Sequence, residues 1–463
     1  MKTRFDKTIT SPSTKSLGAI ALCFLLAIIG SASAGTPPKD PPNILIILVD
    51  DLGYGDLSSY GAPDLKTPHI DRLIESGMRF DNFYANCPVC SPTRASLLSG
   101  KYPDRVGVPG VIRTYAKDNW GFLDPNAVLL PKALWAASYH TGIVGKWHLG
   151  LETPSTPNEM GFDHFHGFLG DMMDDYYNHR RHGQDYMYLN DQRIDPPGHA
   201  TDLFSRWAVD YLNDRKEDEK KFFLYLAYNA PHTPIQPPSD WLEKVKTREP
   251  NITDKRARLV ALIEHLDQGI GDVMQALDAN DQAKDTLVIF TSDNGGQLSV
   301  GGRCGANRGG KQDMYEGGIR VPAGIVWPGV INPGSKSDIV GMTMDLYPTL
   351  CDIAGTPYAS DLNGLSLLPT LLEQPQPGLD RTLVWVRREG NFRYQGRDYY
   401  AFREGPWKLV QNTPFEPYQL YHLDRDPMEE NDLSKTEQKQ YRSLIQKLML
   451  HVQSAGQIPW QRP

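Results

Sequence analysis

Four short apolar runs stand out along the chain and predict buried β-strands. Three of them are Asn43–Val49 (NILIILV), Phe222–Ala227 (FFLYLA) and Thr286–Phe290 (TLVIF), and Thr141–Val144 is a shorter candidate. They are rich in branched and aromatic side chains and do not alternate with polar residues, a pattern typical of strands covered on both faces. We therefore expect them to lie in the middle of a sheet.

Segments with helical spacing of apolar residues lie between these strands. They are His69–Ser76, Ala127–Ala137, Leu203–Leu212 and Arg256–Leu277. Alternation of strands and helices over this length predicts an α/β fold, in which a large, mixed and mostly parallel sheet is flanked by helices on both faces.

The pattern changes in the last quarter of the chain, where short alternating runs predict a small antiparallel sheet. The runs are Thr382–Arg387, Tyr399–Arg403, Trp407–Val410 and Tyr418–His422. Ser434–Ser454 then has the spacing of an amphipathic helix that closes the chain. We expect a catalytic α/β domain over residues 41–370 and a C-terminal subdomain, with this sheet and helix, over residues 371–463.

The N-terminus has the pattern of a signal peptide over residues 1–34. Four basic residues come before or at the start of the apolar run Leu17–Ile29, and small residues follow up to Ala34. This predicts cleavage after Ala34 and export to the periplasm or the outside of the cell, with an uncleaved anchor as the alternative. The remaining sequence contains no apolar run long enough to cross a bilayer, so we expect no stable membrane insertion.

Composition narrows the class of protein further. The 463 residues include 48 Lys and Arg against 56 Asp and Glu, a net charge of −8, which argues against a nucleic-acid binder that works by bulk positive charge. Four cysteines follow the signal peptide: Cys87, Cys90, Cys304 and Cys351. They are too few for a disulfide framework, although a bridge from Cys87 to Cys304 or Cys351 stays open. At least one of them is a candidate for chemistry.

Polar residues with catalytic potential follow four of the predicted strands. They are Asp50-Asp51, Lys146-Trp147-His148, Asn229 to His232, and Ser292-Asp293-Asn294-Gly295. In open parallel sheets, ligands bind beyond the carboxyl ends of the strands, so these residues are expected to converge. Lys311 lies in a glycine-rich segment, 308–318, and is a further candidate.

The chemistry of these residues indicates a metal site beside an anion site. Three carboxylates and one amide, those of Asp50, Asp51, Asp293 and Asn294, form an all-oxygen set, which calcium or magnesium prefers and zinc does not. The other candidates carry positive charge or protons: Lys146, His148, His232 and Lys311. Such a combination suits an ester of a tetrahedral oxyanion, because cations neutralise the oxyanion and a histidine protonates the leaving oxygen.

One further segment is the most specific. Residues 87–105 read CPVCSPTRASLLSGKYPDR, in which Cys90 to Arg94 fits the C-x-P-x-R signature of the sulfatase family and the family's ASLLSGK continuation follows. Other family segments occur in the family's order: DDLGYGD, GKWHLG, APH, SDNGG and Lys311. The chain thus resembles type I sulfatases of the alkaline-phosphatase-like superfamily, most clearly over residues 41–370.

The resemblance implies that Cys90 is converted after translation to formylglycine by a maturation enzyme. A thiol would form a stable adduct with sulfate and stop, whereas a hydrated aldehyde has one hydroxyl to attack sulfur and a second whose deprotonation expels sulfate. Pro92 suits the first turn of a helix that runs to about Ser99 and stops at Gly100, so residue 90 would lie at a helix N-terminus, where anions bind well.

The resemblance also implies a role for each candidate residue. The calcium ligands are Asp50, Asp51, Asp293 and Asn294, with the modified Cys90 close to the ion. Arg94 steadies the aldehyde hydrate, and Lys146 and Lys311 bind sulfate oxygens. His232, assisted by Lys311, donates a proton to the leaving alcohol, and His148 helps the second hydroxyl to expel sulfate. The two histidine roles could be exchanged.

The substrate is predicted from weaker signals. The segment DMMDDYYNHRR, residues 171–181, mixes acids, tyrosines and basic residues, and we expect Asp174 and Asp175 to bind sugar hydroxyls. Together with export, this favours a sulfated carbohydrate over an aryl sulfate, which remains the alternative. A phosphate monoesterase or diesterase of the same superfamily would need a Ser or Thr nucleophile. A calcium-dependent glycan binder without activity would lack a catalytic residue, and none of the family's is missing.

Overall fold

A ten-stranded sheet lies at the centre of the protein. The computed structural model describes residues 40–115, 121–389 and 395–457. The strands are β1 (Asn43–Val49), β2 (Met78–Phe80), β3 (Phe83–Tyr84), β4 (His140–Lys146), β5 (His164–Phe168), β6 (Arg180–Arg181), β7 (Gln184–Asp185), β8 (Met187–Leu189), β9 (Gln192–Arg193), β10 (Phe222–Ala227), β11 (Thr286–Ser292), β12 (Ala323–Val326), β13 (Ser335–Ser337), β14 (Gly341–Met342), β15 (Thr382–Glu389), β16 (Arg397–Glu404), β17 (Trp407–Gln411) and β18 (Gln419–His422). The central sheet has the order β13-β2-β12-β11-β1-β10-β4-β5-β8-β9. Its middle strands, from β11 to β5, are all parallel.

Helices cover both faces of this sheet. They are α1 (Pro68–Glu75), α2 (Cys90–Ser99), α3 (Leu130–Ala136), α4 (Ala200–Asp214), α5 (Ser239–Arg248), α6 (Asp254–Ala279), α7 (Glu316–Ile319), α8 (Leu346–Ala354), α9 (Leu368–Leu371) and α10 (Gln438–Ser454). Neighbouring residues of β1 point to opposite faces, so Ile46 packs with α2, α3 and α8, whereas Ile47 packs with α1, α4 and α6. The predicted α/β fold is confirmed.

The C-terminal part forms a second, smaller sheet. Strands β15 to β18 pair antiparallel in chain order, and Leu444 and Leu448 of α10 pack against this sheet as fully buried residues. Trp385 of β15 donates a hydrogen bond from Nε1 to the carbonyl of Ala85, 2.8 Å away, and so fixes the small sheet to the main body. The predicted antiparallel sheet with a closing helix is confirmed.

Several predicted boundaries shift by a few residues, for local reasons. Helix α10 begins at Gln438 rather than Ser434, because Asp432 holds the backbone and hydroxyl of Ser434 in a turn. Helix α6 begins at Asp254, two residues before the predicted start, because the hydroxyl of Thr253 caps it by accepting from the amide of Arg256. In both cases a side-chain hydrogen bond, rather than the spacing of apolar residues, determines where the helix begins.

Two other predictions concern the cysteines and the N-terminus. The possible bridge from Cys87 to Cys304 or Cys351 is not formed, because all four cysteines in the described part of the chain are free thiols, and all are buried. Residues 1–34, the predicted signal peptide, lie outside the described residues. Within the described ranges, no helix has both the length and the apolar character that a bilayer span requires.

Candidate active site

The carboxyl ends of β1 and β11 bring the four predicted metal ligands together. These two strands pair in parallel up to Val49 and Ser292, so the residues that follow them are neighbours. The amide of Asp51 donates to Oδ1 of Asp293 at 3.2 Å, and Nδ2 of Asn294 donates to Oδ1 of Asp51 at 2.8 Å. Asp50, Asp293 and Asn294 are fully buried, and Asp51 is nearly so. The predicted convergence at the strand ends is therefore present.

Cys90 is the first residue of helix α2, beside this acidic group. Every residue of α2 is buried, and Gly100 ends the helix in the left-handed conformation with φ of 68°. The predicted stop at Gly100 is confirmed, and the helix begins two residues before Pro92. The Sγ of Cys90 lies 3.3 Å from Oδ1 of Asp50. The unpaired amides of the first turn favour negative charge at this position.

Arg94 lies one turn after Cys90 on the same face of the helix. Its guanidinium is completely buried and donates from Nε and Nη2 to Oδ2 of Asp293, at 3.1 and 2.7 Å. Nη1 donates to the carbonyl of Lys146 at 3.2 Å. Arg94 thus joins α2 to β4 and β11 and fixes the orientation of the helix start.

Two lysines approach the same carboxylates from other elements. Lys146 ends β4, and its Nζ lies 2.5 Å from Oδ2 of Asp50. Lys311 comes from the glycine-rich segment, and its Nζ lies 2.7 Å from Oδ2 of Asp51. Burial alone would raise the pKa of Asp50, but the positive charges nearby, that of Lys146 foremost, hold it well below its usual range. Asp50 is therefore charged although it is buried, whereas burial, followed by the charge of Asp50, raises the pKa of Asp293 to about 7.

The two histidines show different hydrogen-bonding patterns. His148 has a positive φ of 60°, and its Nε2 lies 2.8 Å from the carbonyl of Ile112, so this nitrogen carries the proton. Its Nδ1 is buried and has no hydrogen-bond partner among the described residues. In His232, Nδ1 lies 2.7 Å from the carbonyl of Thr233, which leaves Nε2 free to face Oδ2 of Asp51 at 3.6 Å.

Burial shifts the pKa values of the reactive groups so that their uncharged forms are favoured. It lowers the pKa of His148 well below the usual value, with Lys146 adding to the effect, and it also lowers the pKa of His232. Burial, followed by the negative charge of Asp50, raises the pKa of the Cys90 thiol well above its ordinary value. The unmodified thiol is therefore protonated at neutral pH, and a protonated thiol is a poor nucleophile.

The donor set fits a hard divalent cation. Side-chain ligand atoms of Asp50, Asp51, Cys90 and His232 all lie within 4.8 Å of one another; this group includes His232, which was not predicted as a metal ligand, and does not include Asp293. The Oδ1 of Asn294 is buried without a hydrogen-bond donor among the described residues, while its Nδ2 is used by Asp51. A buried carbonyl oxygen needs a partner, and a cation is the partner that this set of carboxylates suits.

A pocket of about 260 Å³ opens above this cluster. Four predicted residues line it: Cys90, His148, His232 and Lys311. Its rim adds residues that the sequence analysis did not identify: Arg113, Asp171, Arg181, Gln297, Gln312, Arg387 and Glu389. Asp171 and Arg181 are the first and last residues of the segment 171–181, and Gln312 lies in the glycine-rich segment, whereas no pattern in the sequence indicates Arg113, Gln297, Arg387 or Glu389.

Asp174 and Asp175 have partners within their own loop. Oδ1 of Asp174 accepts from Arg181 at 2.8 Å, and Asp175 accepts from the amides of Tyr177 and Asn178, at 2.7 and 2.9 Å. Neither residue is among those that line the pocket. Their role in binding sugar hydroxyls stays a prediction, and the structure brings Asp171 and Arg181 of this loop to the pocket instead.

Comparison with known proteins agrees with this geometry. A family model described as Sulfatase matches residues 42–356, and one described as N-sulphoglucosamine sulphohydrolase, C-terminal, matches residues 310–457. The chain is 32% identical to N-acetylgalactosamine-6-sulfatase of Mus musculus, over 89% of this chain and 85% of that protein. It is 33% identical to arylsulfatase A of Homo sapiens, over 87% and 85%.

A solved structure shows the same fold. The crystal structure of Ps i-CgsB in complex with k-i-k-neocarrahexaose superimposes with a TM-score of 0.83 at 30% identity, and the match covers 91% of this chain and 94% of that chain. The family model spans more than half of the chain and includes the cluster around Cys90. The chain therefore belongs to the sulfatase family and is a sulfuric ester hydrolase.

Proposed function

We propose that this protein is an exported sulfatase that removes sulfate esters from sulfated carbohydrates, with a formylglycine made from Cys90 and with calcium at the strand ends. The observation that carries the proposal is the position of Cys90. It begins a buried helix, lies 3.3 Å from Asp50 and faces the charged cluster at the floor of a polar pocket. A residue in that position meets an incoming sulfate group directly.

The nucleophile follows from the state of Cys90. As a buried thiol its pKa is raised, so it is poorly reactive. Once a formylglycine-generating maturation enzyme has oxidised it, the aldehyde hydrate supplies a hydroxyl that attacks sulfur and a second hydroxyl that allows sulfate to leave. Arg94, fixed by two bonds to Asp293, holds the start of α2 and its first residue in place.

The cations bind the sulfate group. Lys311 lines the pocket with its ammonium group beside Asp51, and Lys146 is fully buried with its ammonium group beside Asp50. The oxygens of a bound sulfate group accept from both. Calcium held by Asp50, Asp51, Asp293 and Asn294, next to residue 90, would add positive charge there. Both kinds of cation lower the barrier, because fixed charges in a site shielded from water stabilise the charge that develops on the reacting group.

The hydrogen-bond pattern supports a division of the proton transfers between the two histidines. His148 keeps its proton on Nε2, directed at Ile112, and so offers the lone pair of Nδ1 as a base for the second hydroxyl. His232 directs Nδ1 at Thr233 and leaves Nε2 towards the cluster, where its protonated form donates to the leaving alcohol. A bound sulfate ester, being negative, favours that protonated form.

The pocket rim supports a carbohydrate substrate. Arg181 donates twice to Asp171, at 2.8 and 3.2 Å, and Glu389 accepts from Arg113 at 2.8 Å and Arg387 at 3.1 Å. Rigid pairs of acid and base at a pocket mouth match the alternating donors and acceptors of sugar hydroxyls, whereas an aryl group prefers apolar walls. Asp174 acts on this rim through its bond to Arg181.

Relatives support the same substrate class. One is named for N-acetylgalactosamine 6-sulfate, and the structural neighbour was solved with a neocarrahexaose. Export is proposed from the sequence of residues 1–34, and it would place the enzyme where polysaccharides are met outside the cytoplasm.

The test is release of free sulfate from a panel of sulfated mono- and oligosaccharides, with calcium, by protein that is co-expressed with a maturation enzyme. We expect release from one sugar and one sulfate position, and none from the Cys90→Ala variant. If a generic aryl sulfate is hydrolysed but no sulfated sugar is, the proposed sulfatase reaction stands and the proposed carbohydrate substrate class is overturned. No turnover of either, with Cys90 shown to be converted, would overturn the proposal.

A further inference from the structure

A second cavity lies at the opposite end of helix α2 from Cys90. Its volume is about 550 Å³, compared with about 260 Å³ for the active-site pocket. Its lining includes Ser99 at the end of α2, residues of α3, and the segment after α8 from Thr356 to Ala359. From Cys90 to Ser99 the helix of ten residues rises about 14 Å. We call this cavity the distal groove.

Positive charge dominates the lining of the distal groove. Lys101, Arg105 and Lys132 line it, against one carboxylate, that of Asp124. Oδ1 of Asp124 already accepts from the amide and the side chain of Asn126, at 2.9 and 3.2 Å. Three cations gathered at one place are notable in a chain with a net charge of −8, because the overall field repels anions.

One of these cations has unused hydrogen-bonding capacity. Arg105 donates from Nη2 to the hydroxyl of Ser454 at 3.1 Å. Its Nε is buried and has no hydrogen-bond partner among the described residues. Lys101 lies 2.6 Å from Asp361, a residue whose side chain is 68% exposed, so that surface ion pair contributes little and exchanges readily for another anion.

Exposed aromatic rings occur in and next to the same groove. Tyr358 lines it and is 38% exposed. Trp135 of α3 is 64% exposed and does not itself line the groove, but the residue that follows it, Ala136, does. Large exposed aromatics beside a groove indicate a binding surface, since they offer wide apolar contact with little entropy to lose.

We propose that the distal groove is a second, non-catalytic binding site for a sulfated polysaccharide chain. Its aromatic rings stack on the apolar faces of sugar rings, while Lys101, Arg105 and Lys132 pair with sulfate groups. An apolar peptide would leave the three cations without partners, and a neutral glycan would not use them. The class of ligand rests on the proposed function. Such a site tethers the polymer and raises its concentration near the catalytic pocket.

The experiment measures retention of the full chain in native gels that contain iota-carrageenan, chondroitin 6-sulfate or uncharged dextran. All proteins carry Cys90→Ala, so that the probe is not consumed. There are two test variants, each with two substitutions. The first combines Lys101→Gln and Lys132→Gln, and the second combines Trp135→Ala and Tyr358→Ala. Matched controls remove exposed groups elsewhere: Lys244→Gln with Lys246→Gln, and Phe415→Ala, whose ring is 75% exposed.

We expect each test variant to weaken retention by at least one sulfated polymer about tenfold, the controls to match the parent, and dextran to retain none of them. In the background with intact Cys90, turnover of a small sulfate ester should be unchanged. Equal retention of test variants and parent, or equal loss in the controls, would overturn the proposal. Retention is read without catalysis, so this result and failure of the proposed function are distinguishable.

Discussion

Two clusters of oppositely charged side chains are buried in this molecule, and they differ in how completely their atoms are paired. In the cluster around Lys408, Nζ lies 2.8 Å from both Glu316 and Glu429. The second oxygen of Glu316 accepts from Tyr84 at 2.7 Å, and that of Glu429 accepts from the amide of Glu316 at 2.7 Å. Every carboxylate oxygen there lies within 2.8 Å of a donor or a cation, although the contact of Lys408 with Oε1 of Glu429 is an ion pair without hydrogen-bond geometry.

The catalytic cluster is equally buried but incompletely paired. Oδ1 of Asn294 and Nδ1 of His148 have no hydrogen-bond partner among the described residues, and a pocket opens over Cys90 and Lys311. Buried acceptors without partners cost stability, and a bound ligand can satisfy those that lie beside a pocket. The comparison teaches that burial of charge does not identify a site, whereas unused bonding capacity next to an open pocket indicates one.

The largest expected effect compares a catalytic cysteine with a buried cysteine that lies outside the pocket. Cys90→Ala should lower kcat by at least about 10³-fold, because the nucleophile is lost. Cys351→Ala removes another fully buried free thiol and should leave kcat within about twofold, since that side chain lies outside the pocket. Steady-state sulfate release from both variants, with circular dichroism as a check on folding, gives the comparison. Turnover that survives in Cys90→Ala would show that the nucleophile is misassigned.

A second large effect tests the division of roles between the histidines. His232→Ala should lower kcat/KM for a sugar sulfate by about 10²- to 10⁴-fold, because a sugar alkoxide must be protonated as it leaves. The loss should be much smaller for a nitrophenyl sulfate, whose leaving group is stable as an anion.

His148→Ala is the matched comparison, since it should lower kcat for both substrates alike, because sulfate is expelled after the alcohol has left. The measurement is kcat and kcat/KM for the two substrates in each variant. If His148→Ala rather than His232→Ala shows the dependence on the leaving group, the two roles are exchanged.

The third prediction exchanges a lysine in each cluster. Lys408→Met should destabilise the fold by about 3–5 kcal/mol, because two buried glutamates lose their cation, while kcat of the folded fraction changes little. Lys146→Met should lower kcat by about 10²- to 10³-fold, because a sulfate-binding charge is lost. Denaturant unfolding measures the loss of stability, and kcat is measured at a temperature where both lysine variants are folded. A large loss of kcat in the folded Lys408→Met variant would show that the Lys408 cluster also contributes to catalysis and would contradict this prediction.

The smallest expected effect concerns the pocket rim. Arg113→Gln should raise KM for a sulfated oligosaccharide about tenfold and leave an aryl sulfate nearly unchanged, as one charged hydrogen bond to a sugar is lost. The fold should tolerate it, because Glu389 keeps its bond to Arg387. Arg258→Gln, which removes an exposed ion pair with Asp254, is the control. Equal changes of KM for both substrates would remove Arg113 from sugar recognition.

The position of a site residue in the fold explains whether it could be predicted from the sequence. Asp50, Asp293 and Lys146 directly follow or end apolar strands, so a parallel sheet alone brings them together, and the prediction of their convergence is confirmed. The roles of individual residues at the site remain predictions. Cys90 does not follow an apolar strand, so the sheet pattern does not locate it. It was identified through the family signature instead.

Apart from the segment 171–181, the pocket rim could not be predicted, because it is assembled by contacts between residues that are distant in sequence. Arg387 and Glu389 reach the pocket only because β15 of the small sheet runs past residue 109, where the amide of Arg388 donates to Pro109 at 2.8 Å. Arg181 is directed to the pocket by its bonds to Asp171 and Asp174. Short charged segments carry no periodicity from which such pairing can be inferred.

The central claim is that a converted Cys90 performs the reaction, and one measurement tests it most directly. Protein is prepared with increasing amounts of maturation enzyme, the fraction of residue 90 present as aldehyde is measured by peptide mass analysis, and kcat is measured on each preparation. The account predicts a straight line through zero. Full activity in a preparation where Cys90 is entirely unmodified would contradict it.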